Sequence, residues 1–126
     1  MRDLNKTILM GNLSSDTELR STPSGTAVTT FRLATARPVK RNDKWETETE
    51  YHNIVTLGRN AEIAHEYLRK GSRILIIGEI RYQTWEDKET KQTRYKTEIL
   101  VNPDGLSMLD RKERDAASPE GEEIAY

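Results

Sequence analysis

The chain contains no cysteine, which excludes a disulfide framework, a thiolate nucleophile and a cysteine-based zinc site. Apolar residues are also scarce. They make up 34% of the 126 residues, barely more than the 33% that are charged, and there is a single phenylalanine. A small polar chain buries a limited share of its surface, so this sequence requires a compact all-β core, burial shared between subunits, or both. No apolar run approaches membrane-spanning length. Met1-Arg2-Asp3-Leu4-Asn5-Lys6 has neither an apolar signal core nor an Arg/Ser-rich transit pattern. Together with the absence of cysteine, this points to a soluble protein of the cytoplasm.

There is no excess of one charge either, the formal net charge being −1. From Arg111 onward three basic residues stand against five acidic ones, which leaves the body of the chain close to neutral. Any groove for a polyanion must then be a local basic patch rather than a global field. Catalytic signatures are missing: no Gly-rich lysine loop to cradle phosphate, no histidine pair at metal-ligand spacing and no nucleophile–base set. Glu46, Glu48 and Glu50 alternate, but read as a solvated strand end rather than a metal cage. The expectation is a non-enzymatic chain with no cofactor and no metal.

What is present is a run of short strand signals. Lys6 to Leu13 is apolar and rich in β formers, with Gly11 and Asn12 as bulge or turn points. A polar connection through Pro23-Ser24-Gly25 leads to a second strand, Thr26 to Thr35, whose alternation puts Phe31 and Leu33 on one face and Arg32 on the other. Arg37 to Thr49 reads as a long polar loop, and Glu50 to Leu57 as a third strand. Asn60 to Lys70, with Asn60 as N-cap, a stripe of Ile63, Ala64, Tyr67 and Leu68, and Gly71 at the stop position, is the one convincing helix. Strands follow from Arg73 to Tyr82 and from Tyr95 to Asn102, joined by a charged hairpin, with a further short strand over Leu106 to Leu109. The predicted organisation is a domain over residues 1–110 and a short acidic, disordered tail over 111–126. Three strands, one helix, then further strands is the order of a five-stranded antiparallel oligonucleotide-binding (OB) barrel, here all-β with one helix and an extended hairpin.

Specific segments sharpen this pattern. Asn5-Lys6-Thr7-Ile8-Leu9-Met10-Gly11-Asn12-Leu13, Thr22 to Val28, Leu33-Ala34-Thr35, Thr49-Glu50-Tyr51-His52, Ala61 to Ala64 with Tyr67 to Ser72, and Tyr95 to Asn102 follow one another along the chain. On these segments the chain resembles bacterial single-stranded DNA-binding proteins over about residues 4–110. The resemblance implies an OB fold and a homo-oligomer, usually a homotetramer, that binds and protects single-stranded DNA without sequence preference in replication, recombination and repair. Two of the aromatic positions with which that family contacts bases persist as Tyr51 and Trp85. Two others align with Val39 and Leu57, and positions often occupied by arginine align with Asn53 and Gln83.

Each candidate has a plainer rival. Tyr51 shares a strand face with Asn53, Val55 and Leu57; it is either a stacking platform for a base or a core or interface aromatic. Trp85 sits in a charged hairpin with little core to join, which favours an exposed contact. Trp45 is either a platform or an anchor pinning its loop. Two basic groups, Arg37, Lys40, Arg41 and Lys44 in the long loop and Arg81, Lys88, Lys91, Arg94 and Lys96 around the hairpin, are the candidate phosphate contacts, the rival being a solvated charged face. His52 and His65 read as structural. In the tail, Glu122, Glu123, Ile124 and Tyr126 form an acidic tip with terminal apolar residues, which the resemblance associates with docking of replication and repair proteins. The reduced aromatic set leaves one rival function, a protein-docking module that binds DNA weakly.

Overall fold

A computed structural model describes residues 2–109. Its elements are β1 (Thr7–Leu13), β2 (Glu18–Ser21), β3 (Ala27–Arg41), β4 (Lys44–Leu57), α1 (Arg59–Tyr67), β5 (Arg73–Glu86) and β6 (Thr93–Met108). The strands form one sheet in the order β1-β5-β6-β4-β3-β2. A second pairing of β1, Asn12 with Ala34 and Leu13 with Leu33 of β3, closes the sheet on itself in the manner of an OB fold. Two features depart from an all-antiparallel five-stranded barrel. The β4–β6 contact is parallel and two pairs long, Ile54 with Ile99 and Val55 with Leu100. A short β2, which the sequence hid in a polar connection, pairs with β3.

Strand alternation carries the core. Leu13, Phe31, Leu33, Ile54, Ile74, Ile76, Ile99 and Val101 all point inward and are buried. Helix α1 closes one end through Ala61 and Ala64, with Leu68 just beyond it. Of the expected stripe, Ala64 and Leu68 are buried, Ile63 is half-buried and Tyr67 is exposed, while Ala61 is a further buried position. The N-cap is Gly58 at φ 63°, a left-handed conformation natural to glycine. Asn60, the expected cap, instead donates its side-chain amide to the carbonyls of Asn102 and Pro103. Two buried threonines stitch the layers together: Thr56 Oγ1 donates to the Thr29 carbonyl at 2.9 Å, and Thr29 Oγ1 donates to the Ala61 carbonyl at 2.6 Å. Their hydroxyls are satisfied, so burial carries no desolvation penalty of an unpaired group.

The expected loop from Arg37 to Thr49 is not a loop. It is the outer half of a β3–β4 hairpin paired without interruption from Val28–Leu57 to Arg41–Lys44. Asn42 and Asp43, both at positive φ (51° and 62°), make the two-residue turn, a geometry that fits the twist of the flanking strands and that Asn and Asp tolerate. The second hairpin, β5–β6, runs from Gly78–Val101 to Glu86–Thr93 and projects past the barrel. Its tip is ordered by Asp87, whose carboxylate accepts from the backbone N–H of Glu89 at 2.9 Å.

Candidate nucleic-acid interface

Because directly opposed residues on paired strands share a face, register assigns every candidate to a side. On β4, Ile54 and Thr56 are buried, so Tyr51, Asn53, Val55 and Leu57 face outward. Opposite them on β3 stand Ala34, Arg32, Thr30 and Val28. On β6, Ile99 and Val101 point inward, which turns Arg94, Lys96 and Glu98 outward, opposite Trp85, Gln83 and Arg81 of β5. One outer face therefore carries Arg32 and Tyr51, then Asn53 and Lys96, then Gln83, and finally Trp85 with Arg94. Both Tyr51 and Trp85 are exposed on it.

Its polar groups are held in place. Gln83 Nε2 donates to Glu98 Oε1 at 2.7 Å, which gives the buried Glu98 carboxylate a partner. Asn53 Nδ2 donates to the Thr97 carbonyl at 3.3 Å and bridges β4 to β6 where the ladder has lapsed. Arg32 lies over the Tyr51 ring, 5.4 Å from its centroid. A cleft of about 330 Å³ opens between β4 and β6, lined by Tyr51, Asn53, Tyr95 and Lys96 among others.

The two expected basic groups fare differently. Lys40 is directly opposite Trp45, and both stand on the Tyr51 side of the β3–β4 hairpin, Trp45 exposed near its tip. Arg37, Arg41 and Lys44 stand on the reverse side. There Glu48 receives Arg41 Nη2 and Arg37 Nη2, each at 2.5 Å, and Arg41 also reaches Glu46 at 3.3 Å. These hydrogen bonds, Arg41's first and Arg37's second, hold the Glu48 carboxyl below its ordinary pKa. The loop group is thus not one patch: its arginines are engaged with carboxylates away from the stacking face. In the second group, Arg94 flanks Trp85 and reaches Asp87 at 3.4 Å, Arg81 opposes Glu98, and Lys88 and Lys91 sit in the hairpin turn. The tail residues Glu122, Glu123, Ile124 and Tyr126 lie outside the described residues.

Val39 faces away from Tyr51, while Leu57 lies on its side of the sheet. His52 Nε2 is hydrogen-bonded to Thr35 Oγ1 at 2.9 Å, and His65 Nδ1 to Thr17 Oγ1 at 2.9 Å; both histidines tie strands or loops together. Sequence reasoning passed over Arg32 as a member of the face, although its alternation with Phe31 and Leu33 was the signal that places it outward. Among the described residues no helix is long and apolar enough to cross a membrane, and no acidic or histidine cluster could hold a metal ion.

Comparison with known proteins identifies the family. Residues 4–109 match the model of the single-strand binding protein family. A single-stranded DNA-binding protein of Borreliella burgdorferi is 38% identical over 109 residues, 86% of this chain and 72% of that one. The solved structure described as Plasmodium falciparum SSB complex with ssDNA superposes with a TM-score of 0.78 at 28% identity, covering 87% of this chain and 98% of its own. By its match along nearly the whole described length, the chain belongs to the single-strand binding protein family.

Proposed function

We propose that this chain binds single-stranded DNA along the outer face that runs from Arg32 and Tyr51 to Trp85, holding bases by stacking and phosphates by the flanking cations. The carrying observation is that register alone sets an exposed tyrosine and an exposed tryptophan on one continuous face, with Lys96 and Arg94 beside them. Every base offers a π face, so stacking of this kind is tolerant of sequence. Arg32, Lys40, Arg81, Lys88, Lys91, Arg94 and Lys96 supply the phosphate contacts. No bond is made or broken. Coating keeps the strand from re-pairing during replication, recombination and repair.

The functional unit in this reading is a homo-oligomer, a tetramer by analogy with the family. Ile8, Met10, Leu75 and Ile77 make an outward apolar patch across β1 and β5, with Ile8 and Met10 exposed. Beside it, the edge of β1 that meets β3 is paired only at Asn12 and Leu13. Such a patch bordering an open strand edge suits a second copy. Residues 111–126 act as an appendage to the domain, with Glu122, Glu123, Ile124 and Tyr126 docking other proteins.

The test is quenching of intrinsic tryptophan fluorescence by a poly-pyrimidine single strand, repeated with duplex and across salt concentrations, in Trp45→Phe and Trp85→Phe variants. Saturable quenching by the single strand alone, weakened by salt and lost with Trp85→Phe, is expected. No quenching at low salt would remove the strand path from this face and favour the protein-docking rival.

A further inference from the structure

The β5–β6 hairpin leaves the barrel as a two-stranded ribbon, so both of its faces emerge. Trp85 and Lys96 occupy the outer one. The other continues the inward side of the barrel wall, following Ile80 and Ile99, and carries Tyr82, Thr84, Thr97 and Tyr95. Thr84 opposes Tyr95 and Thr97 opposes Tyr82, which makes the two tyrosines diagonal neighbours, about 7–8 Å apart. They are 75% and 76% exposed. Neither phenol hydroxyl has a hydrogen-bond partner among the described residues. We infer that Tyr82 and Tyr95 form a second stacking surface for single-stranded DNA, reached from Tyr51 through the cleft between β4 and β6. The inference rests on the outer-face reading and extends it.

Three observations favour a nucleic-acid strand as the occupant. The cleft that Tyr51 lines on the outer side is lined by Tyr95 as well, and Lys96 and Asn53 stand between them, so the two aromatic surfaces are continuous. Around the tyrosines the ribbon face offers threonine hydroxyls instead of aliphatic side chains, a poor basis for a dry protein contact but suited to sugars and base edges. The ribbon from Arg81 to Thr97 holds five basic against three acidic residues in a chain whose net charge is −1. Local positive charge matches a polyanion. A strand crossing the cleft would thus meet Tyr51, a cation and a pair of phenols in succession.

The probe is a series of oligothymidylates from a few nucleotides to several tens, titrated against the unaltered full chain and a Tyr82→Ser/Tyr95→Ser variant. Both tyrosines are exposed, and both tryptophans remain as reporters. The shortest strands are expected to bind both proteins equally, while the longest bind the variant about tenfold or more weaker and the number of nucleotides occluded falls. Strands carrying 5-bromouracil should cross-link to Tyr82 or Tyr95 in the unaltered chain. Equal affinity and occlusion at every length, with no such cross-link, would overturn the second surface. An equal loss at every length would overturn it too, because the tyrosines would then shape the hairpin instead of extending the path. In either case a Trp85→Ala variant that still weakens short-strand binding leaves the outer-face reading standing. Absence of tryptophan quenching in the unaltered chain would overturn both.

Discussion

The guanidinium of Arg32 sits 5.4 Å from the centroid of the Tyr51 ring, reaching it diagonally from the neighbouring strand. Cation and ring attract through the ring's quadrupole, and the arginine limits how the exposed ring can turn. A platform held in this way loses little rotational freedom when a base settles on its open side. Tyr51→Ala is therefore expected to weaken single-strand binding by about 1–3 kcal/mol. Arg32→Ala should weaken it less, while also loosening the ring. Equilibrium titration with oligothymidylate checks both, and an Arg32→Ala effect exceeding that of Tyr51→Ala would show that the arginine acts mainly on the strand.

On the proposed path, register separates cations placed to meet the strand from cations engaged with carboxylates. Lys96 projects from the outer face beside Gln83, whereas Arg37 is bound to Glu48 on the reverse of its hairpin. Each phosphate contact on a single strand contributes about 0.7 to the slope of log affinity against log salt. Lys96→Ala should flatten that slope by about 0.7, and Arg37→Ala should leave it near that of the unaltered chain. A flattened slope in Arg37→Ala would place the strand across both sides of the β3–β4 hairpin.

The Glu48 knot predicts a local response to acid. Its carboxyl is held below the usual value of 4.5 by the hydrogen bonds of Arg41 and Arg37. A carboxyl lowered in the folded state contributes its stabilisation above the unfolded value and loses it as pH falls through the folded one. Protection factors of amides in the outer half of the β3–β4 hairpin, corrected for the intrinsic pH dependence of exchange, should thus fall on going below pH 4.5, while those of the core strands hold. The contribution is small and salt-sensitive because the groups are exposed. Glu48→Gln should exchange faster at neutral pH and show no such acid step.

How far the sequence was legible follows from where the information lies. Alternation around Ile54 and Thr56 is enough to turn Tyr51 outward, because a one-residue slip would expose the core. The same logic reads Arg32. The β3–β4 hairpin escaped notice because residues 37–49 lack any apolar alternation. It is held by backbone pairing, the Asn42-Asp43 turn and Arg–Glu contacts, all of which look like loop chemistry in a linear text. Arg37 and Arg41 could not be told from free cations, since their partner is legible only once the register is known. The start of α1 was not legible because Gly58, not Asn60, caps it and the side chain of Asn60 is spent on carbonyls of β6; within the expected stripe Ala64 and Leu68 are buried and Tyr67 turns to solvent. Tyr82 and Tyr95 read only as the ends of the strands that bound the charged hairpin; their exposure follows from the length by which β5 and β6 outrun the barrel.

Closure of the sheet makes one glycine indispensable. Where β1 crosses β3, Gly11 is buried, and a Cβ there would run into the carbonyl oxygen of Ala34, with Thr35 Cγ2 only 3.3 Å away. The obstacle is backbone on a paired strand, which has no rotamer to yield. Gly11→Ala is expected to destabilise the fold by about 1–3 kcal/mol, seen as a lower midpoint in urea. An unchanged midpoint would mean that the β1–β3 closure gives way easily, in line with its length of only two pairs.

The apolar patch beside that closure is suited to a second copy of the chain. Met10 and Ile8 are exposed on the outward side of β1, against Leu75 and Ile77 of β5. Side chains of this size are seldom grouped in the open on a chain that must stay monomeric. A charge placed among them opposes burial against a second copy but costs the monomer little, since the positions are already solvated. Met10→Glu should therefore lower the mass seen by sedimentation while leaving the thermal unfolding of the separated chain close to that of an unaltered monomer. It should also shorten the strand length each particle occludes, because a path shared among copies is cut. If the mass is unchanged and the fold is intact, another surface holds the copies together. If the chain is monomeric even before substitution, the patch meets something other than its own kind.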